Sequence, residues 1–355
     1  METIDNKDSV LKLSLLALAI VAVTGCSSGG SSSQPIDQDD PGQTDGGGGS
    51  SDSGGSSGDS GGGSGDGGGS SDPSQDFTYK TINPANPIDN AAGEIIHLES
   101  VSMNATSSSS GVAINKGPEI SFEAILMALE DAPDGKARIG LIAPAAGVDE
   151  DFSESDKYPY DFDNGENEVK ILSLDDEGNE FLDGSLNYAA YGNWLIRNSS
   201  GDSDGGFFAW GSDTRSSDMP TSGTASYSGV TQGEVIINNG QAHALIGQAT
   251  LDVNFTSKDI EGTLTNMTAQ EYDSDVVRQW HDIDLIGGLD SQGNRFGGIT
   301  QVESSPGNAA SISNDSRGGF NGRFYGPGAA EAAGVWSIED PNGSAAYGAF
   351  GVKKD

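Results

Sequence analysis

Residues 27–76 are built almost wholly from Gly, Ser and Asp, with a few Gln and Pro, and this segment decides where folding can occur. It holds nine Asp, no aromatic residue and no Lys or Arg. Such a composition cannot bury enough apolar surface to offset its ordering entropy, so the segment reads as a disordered tether. A flexible chain of this length has an end-to-end distance of about 40 Å, lengthened by like-charge repulsion. Its two GxSxG matches, Gly54 to Gly58 and Gly58 to Gly62, mean nothing without the strand and helix that a nucleophile elbow needs. Folding is left to the roughly 280 residues from Phe77 onward, enough for a sizeable core. One Cys excludes an intrachain disulfide and any CxxC zinc or redox site. A formal charge of −37 argues against nucleic acid as a partner. No apolar run approaches the roughly 18 residues of a membrane-spanning helix.

The N-terminus reads as an address. Lys7 and Lys12 lead into residues 13–23, Leu-Ser-Leu-Leu-Ala-Leu-Ala-Ile-Val-Ala-Val. As a helix this run spans about 16 Å, half of a hydrocarbon core, which suits a secretory signal and not an anchor. Val23-Thr24-Gly25-Cys26 follows, and small residues before a Cys at this place resemble the bacterial lipobox. The resemblance implies that Cys26 is lipidated, that residues 1–25 are removed as a lipoprotein signal peptide, and that residues 26–76 form a lipidated tether. The other reading is an ordinary signal peptide with an incidental Cys26. Acyl chains anchor firmly, each buried CH₂ contributing about 0.8 kcal/mol. Ser27, where lipoproteins kept at the inner membrane tend to carry Asp, points to the outer membrane of a diderm bacterium.

The rest divides into two parts. Residues 77–219 show strand signals at 94–101, 137–143, 168–174, 186–196 and 205–210. Residues 119–129 begin with strand alternation and become helix-compatible. No long amphipathic helix is present. Residues 220–355 are more regular, with short runs at 234–237, 242–255, 260–267, 281–286, 295–302, 317–325, 330–338 and 345–353, punctuated by Gly and Asn-Gly. Leu251-Asp252-Val253-Asn254-Phe255 alternates cleanly. This rhythm predicts an antiparallel barrel or sandwich, and closure would remove exposed edges.

Two blocks carry a resemblance. One is Gly318-Gly319-Phe320-Asn321-Gly322-Arg323-Phe324-Tyr325-Gly326-Pro327-Gly328-Ala329-Ala330-Glu331-Ala332-Ala333-Gly334-Val335-Trp336. The other is Phe208-Ala209-Trp210-Gly211 followed by Met219-Pro220-Thr221-Ser222-Gly223-Thr224-Ala225-Ser226-Tyr227-Ser228-Gly229. Together they resemble the barrel signatures of the transferrin-binding protein B family. The resemblance implies a mainly all-β chain: a β-rich handle over residues 77–219, then an antiparallel eight-stranded β-barrel over 220–355. It also implies export by the surface lipoprotein assembly modulator and exposure on the cell surface. Members bind transferrin, haem carriers, complement regulators or haem. Transferrin binders of the large type have two lobes, whereas this chain has one handle and one barrel, which argues against transferrin itself. Read physically, Gly319, Gly322 and Gly326 allow close approach or bending, Pro327 stops the ladder, and Glu331 is placed to bond backbone groups of the turn. The motif identifies a fold and carries no chemistry of its own.

No catalytic constellation emerges, so an enzyme is not expected. His97, His243 and His281 lie far apart in sequence. His97 and His281 are the candidate haem ligands, since neutral imidazole suits iron; each also reads as an ordinary core or surface His. The acidic runs at 161–168 and 175–180 lack the spacing of a calcium loop and read as solvated turns. About −27 of the charge falls on the folded part. A saline habitat, where salt screens self-repulsion, explains this better than a basic partner. Two functions are expected to compete. One is a surface lipoprotein that captures an iron source, such as haem or an iron or haem carrier, for a TonB-dependent receptor. The other is a structural or adhesion lipoprotein without a small-molecule ligand.

Overall fold

Among the described residues, short alternating runs fold into strands alone, apart from one turn of 3-10 helix at Pro144–Ala146. The computed structural model describes residues 78–82, 95–108, 111–130, 136–154, 161–164, 167–170, 186–197, 202–272, 274, 276–291 and 293–355. The signal region, Cys26, the tether and the acidic turn at 175–180 lie outside them. The first sheet contains β1 (Ile95–His97), β2 (Glu99–Ser108), β3 (Gly111–Ser121), β4 (Ile125–Ala128), β5 (Arg138–Ala143), β6 (Val148–Glu154), β7 (Asp161–Asp163), β8 (Glu168–Lys170), β9 (Ala189–Arg197) and β10 (Asp202–Gly211). Its antiparallel order is β1-β4-β5-β6-β7-β8-β9-β10-β2-β3, and it curls into a half-barrel. Leu126, Leu141, Phe152, Val169, Trp194 and Phe208 pack together as its own core.

The helix-compatible stretch after residue 119 forms no helix. The backbone N–H of Glu123 donates to the Ser121 hydroxyl, a local bond that competes with helix formation and ends β3. Phe122 is turned out to solvent, and β4 then resumes in extended form. Tertiary pairing of β4 with β1 and β5 overrides the local helical propensity.

The second sheet is the expected eight-stranded barrel. Its strands are β11 (Thr224–Ile236), β12 (Ala242–Asn254), β13 (Asp259–Glu271), β15 (Asp282–Leu289), β16 (Arg295–Ser304), β17 (Arg317–Tyr325), β18 (Glu331–Glu339) and β19 (Ala345–Lys354). A ninth, short strand, β14 (Val277–Gln279), pairs only with β13. Pairing of β12 with β13 and of β11 with β19 closes the ring, so no long barrel edge is left open. The alternation read at 251–255 is real: Leu251 and Val253 are buried while Thr250 and Asp252 face out. Trp280, Trp336, Phe296, Phe320, Phe324 and Phe350 fill the interior. Full burial of a Phe contributes about 2 kcal/mol. Trp336 fits because β11 and β19 carry Gly at its flanks; a Cβ at Gly233 or Gly348 would lie 2.9 Å from the indole.

A third core belongs to both halves. Val101, Met103, Ala189, Tyr191, Phe207 and Ala209 of the handle meet Ile236, Ala333, Val335, Tyr347 and Ala349 on the outer wall of the barrel.

Candidate functional site: the handle–barrel seam

The signature residues gather where the two halves meet. Tyr227 of the second block donates its hydroxyl to the Ala329 carbonyl of the first, at 2.8 Å, and its ring lies 5.8 Å from Phe324. The corner after β17 is bonded to the segment that leads into the barrel. The Thr214 N–H donates to Phe324 O, the Thr214 hydroxyl to Gly326 O at 2.6 Å, and the Gly326 N–H to Ser212 O. Gly326 has φ +73°, and a Cβ there would sit 2.4 Å from the Tyr188 ring. Gly326→Ala is therefore strained twice over. Expected is a loss of about 2–3 kcal/mol in urea unfolding, with a Gly→Ala change at open Gly223 as the control for φ alone.

The expected bonds from Glu331 to backbone groups of its own turn are replaced by bonds to the handle. Glu331 is almost wholly buried, and its carboxylate accepts backbone N–H groups from Asn187, Tyr188 and Ala189 at 2.7, 2.7 and 2.9 Å. The motif glutamate thus holds the start of β9, more than 140 residues away in sequence.

A second polar staple spans the seam on β2, β16 and β17. Glu99 is fully buried. Arg323 Nε pairs with Glu99 Oε1, Arg323 Nη1 reaches Asp213 at 2.6 Å, and Arg295 Nε lies 3.5 Å from Glu99. Burial pushes the Glu99 carboxyl up, and Arg323 pulls it part of the way back. Neither acid was singled out from sequence: only the packing of β2 on β17 buries Glu99, and Asp213 stays exposed. The Arg295 guanidinium also lies 4.8 Å from the centroid of Phe122, which is 42% exposed.

Next to this pair lies an apolar strip. Ile286 and Ile299 are direct cross-strand partners on the outer barrel wall, 44% and 53% exposed. Ile299 pairs in turn with Gly319, over which Ile120 of the handle packs; a Cβ on Gly319 would lie 3.8 Å from it. Ile120 and Phe122 with Glu119, Glu123, Pro144 and Ala145 line a shallow cleft of about 380 Å³.

The histidines are not brought together. His97 is exposed on β1 of the handle. His281 is fully buried beside Trp280, its Nδ1 donating to Ser304 O at 2.8 Å and its Nε2 accepting the Ile312 N–H at 2.9 Å. Both nitrogens serve the backbone, which leaves none for iron, and burial lowers the pKa of the ring. His243 is buried too and has no hydrogen-bond partner among the described residues; burial likewise holds its pKa down. No group of three or more His, Cys, Asp or Glu able to hold a metal ion occurs among the described residues.

Residues 219–354 match the family of C-lobe and N-lobe β-barrels of transferrin-binding protein B. The chain is similar to a mutant of transferrin-binding protein B from Haemophilus parasuis: 19% identity, 73% of this chain, 45% of the other, TM-score 0.42. It is similar also to a mutant from Actinobacillus pleuropneumoniae: 16% identity, 73% of this chain, 100% of the other, TM-score 0.40. For isotype 1 from serogroup B Neisseria meningitidis the figures are 19%, 73%, 43% and 0.36. The chain thus spans less than half the length of the first and last of these. No curated protein sequence matches it.

Proposed function

We propose, from a barrel that belongs to the transferrin-binding protein B barrel family, that this chain is a lipid-anchored surface protein that captures a protein ligand, an iron or haem carrier, for uptake. In this reading Cys26 holds the chain in the outer membrane, the tether carries the handle and barrel clear of it, and a surface lipoprotein translocator exports it. A TonB-dependent receptor receives the cargo.

The observations that carry a protein ligand, as opposed to free haem, are the exposed Ile286–Ile299 pair and the exposed Phe122 beneath Arg295. Exposed apolar and aromatic side chains with an Arg are the make-up of a protein contact, and these sit on two sheets. Haem would need a free imidazole in an enclosed apolar pocket; His281 has no free nitrogen and His97 lies on an exposed strand.

The test is a binding titration of the purified chain against iron-loaded and iron-free transferrin, haemoglobin and free haem. One carrier protein is expected to bind saturably, and Ile299→Asp to weaken it at least about tenfold, since one central contact contributes about 2 kcal/mol. Free haem is expected to leave the Soret band unshifted. If no carrier binds and the chain instead self-associates, the adhesion reading takes its place.

A further inference from the structure

The core shared by handle and barrel encloses one carboxyl group. Glu234 of β11 is 1% exposed, and its neighbours Thr231 and Val235 belong to the barrel interior, so Glu234 faces outward into the seam. Oε2 accepts the Tyr347 hydroxyl at 2.9 Å, and the nearby Tyr272 hydroxyl also favours the ionised carboxyl group. Oε1 has no partner, and no cation is paired with the group among the described residues. Tyr347 is where the handle bears on it: Phe207 of β10 packs edge-on to that ring at 5.3 Å, and a Cβ at Gly205 would lie 2.7 Å from its hydroxyl.

The groups that face this carboxyl are all acidic or phenolic. Tyr347 comes from β19 and Tyr272 from the end of β13; Asp204 of β10 acts through space on Tyr347, and Glu168 of β8 on Tyr272. His243 on neighbouring β12 pairs with inward-facing Val235, so it lies on the opposite face of the wall. Burial pushes the Glu234 carboxyl up to about 7 against the pull of the two tyrosines, from an ordinary value of 4.5.

We propose that Glu234 is a proton-operated latch between handle and barrel: neutral, it rests in the seam at little cost, and ionised, it loosens the packing of β10 on β19. The direction follows from linkage. The folded state binds the proton more tightly than the unfolded state does, so docking is strongest at low pH, weakens between about 4.5 and 7, and levels off above.

The experiment is hydrogen exchange on the full chain at pH 5, 7 and 8.5, read as protection factors for peptides within β10 and β19. Their protection is expected to fall by up to about tenfold per pH unit as pH approaches 7, and then to flatten. Peptides within β15, which touch neither this carboxyl group nor Glu99, are expected to change little. Glu234→Gln should abolish the dependence. Tyr347→Phe removes a donor to the carboxylate and should move the midpoint upward. β10 and β19 indifferent to pH, an equal change in β15, or a Glu234→Gln chain in which β19 still responds would each overturn the latch. If Glu234→Gln does not fold, an unmoved midpoint in Tyr347→Phe overturns it.

Discussion

Glu331→Ala is expected to lower the melting temperature by about 10 °C. Three backbone N–H groups converge on this carboxylate in a dry site. Hydrogen bonds to a charged acceptor contribute about 1.5–3 kcal/mol each and are not additive, so a total near 4 kcal/mol is expected. The cost is high because all three donors lose their acceptor at once and cannot turn to water. Glu331→Gln should recover little, since its NH₂ group would face N–H donors. Calorimetry checks both; a loss under about 3 °C in the Ala variant would mean that the start of β9 finds other acceptors.

Arg323→Ala is expected to cost about 3–5 kcal/mol, because it strands the Glu99 carboxylate at 0% exposure with only Arg295 near it. The loss should depend on pH. With Arg323 gone, burial pushes the Glu99 carboxyl further up, so the folded state takes a proton that the unfolded state does not hold. The penalty is then smallest at low pH and grows as pH rises through the shifted value. Replacing both partners with Met should restore most of the stability, since a dry apolar pair avoids the desolvation of two charges. Urea midpoints at pH 5 and 8 for the two single variants and the pair decide it. A double variant no better than Arg323→Ala would show that the ion pair supplies geometry that Met cannot.

The barrel was far more legible in the sequence than the handle, for a physical reason. Barrel strands away from the handle have one wet and one dry face along much of their length, so Leu251, Val253 and Phe255 alternate with polar residues and betray the strand, whereas β18 and β19 are buried on both faces. β17 was bounded to the residue at both ends. The handle's β3 was read only from residue 119, because Asn115, Lys116 and Pro118 interrupt any apolar alternation before it; its place is set by pairing with β2 and by lying over the barrel. The seam was legible only in part. The signature announced Glu331 and Gly326, but their partners lie in a region of the chain that no local pattern connects to them. Glu99 and Glu234 look like ordinary solvated acids within alternating strands. What makes them special is a second sheet laid over them, and that is a tertiary fact.

The ring of the barrel also has a temporal consequence. β11, the first of its strands to leave the ribosome, finds one of its two neighbours in β19, the last, through ten residue pairs. The cylinder cannot shut until β19 has been delivered, and β18, which bears the Glu331 clamp on the handle, comes only just before it. A chain passed through a membrane with its N-terminus leading would emerge with its earlier strands lacking their final partners throughout transit. Both halves would then set together at the end, which keeps the polypeptide threadable for as long as threading lasts.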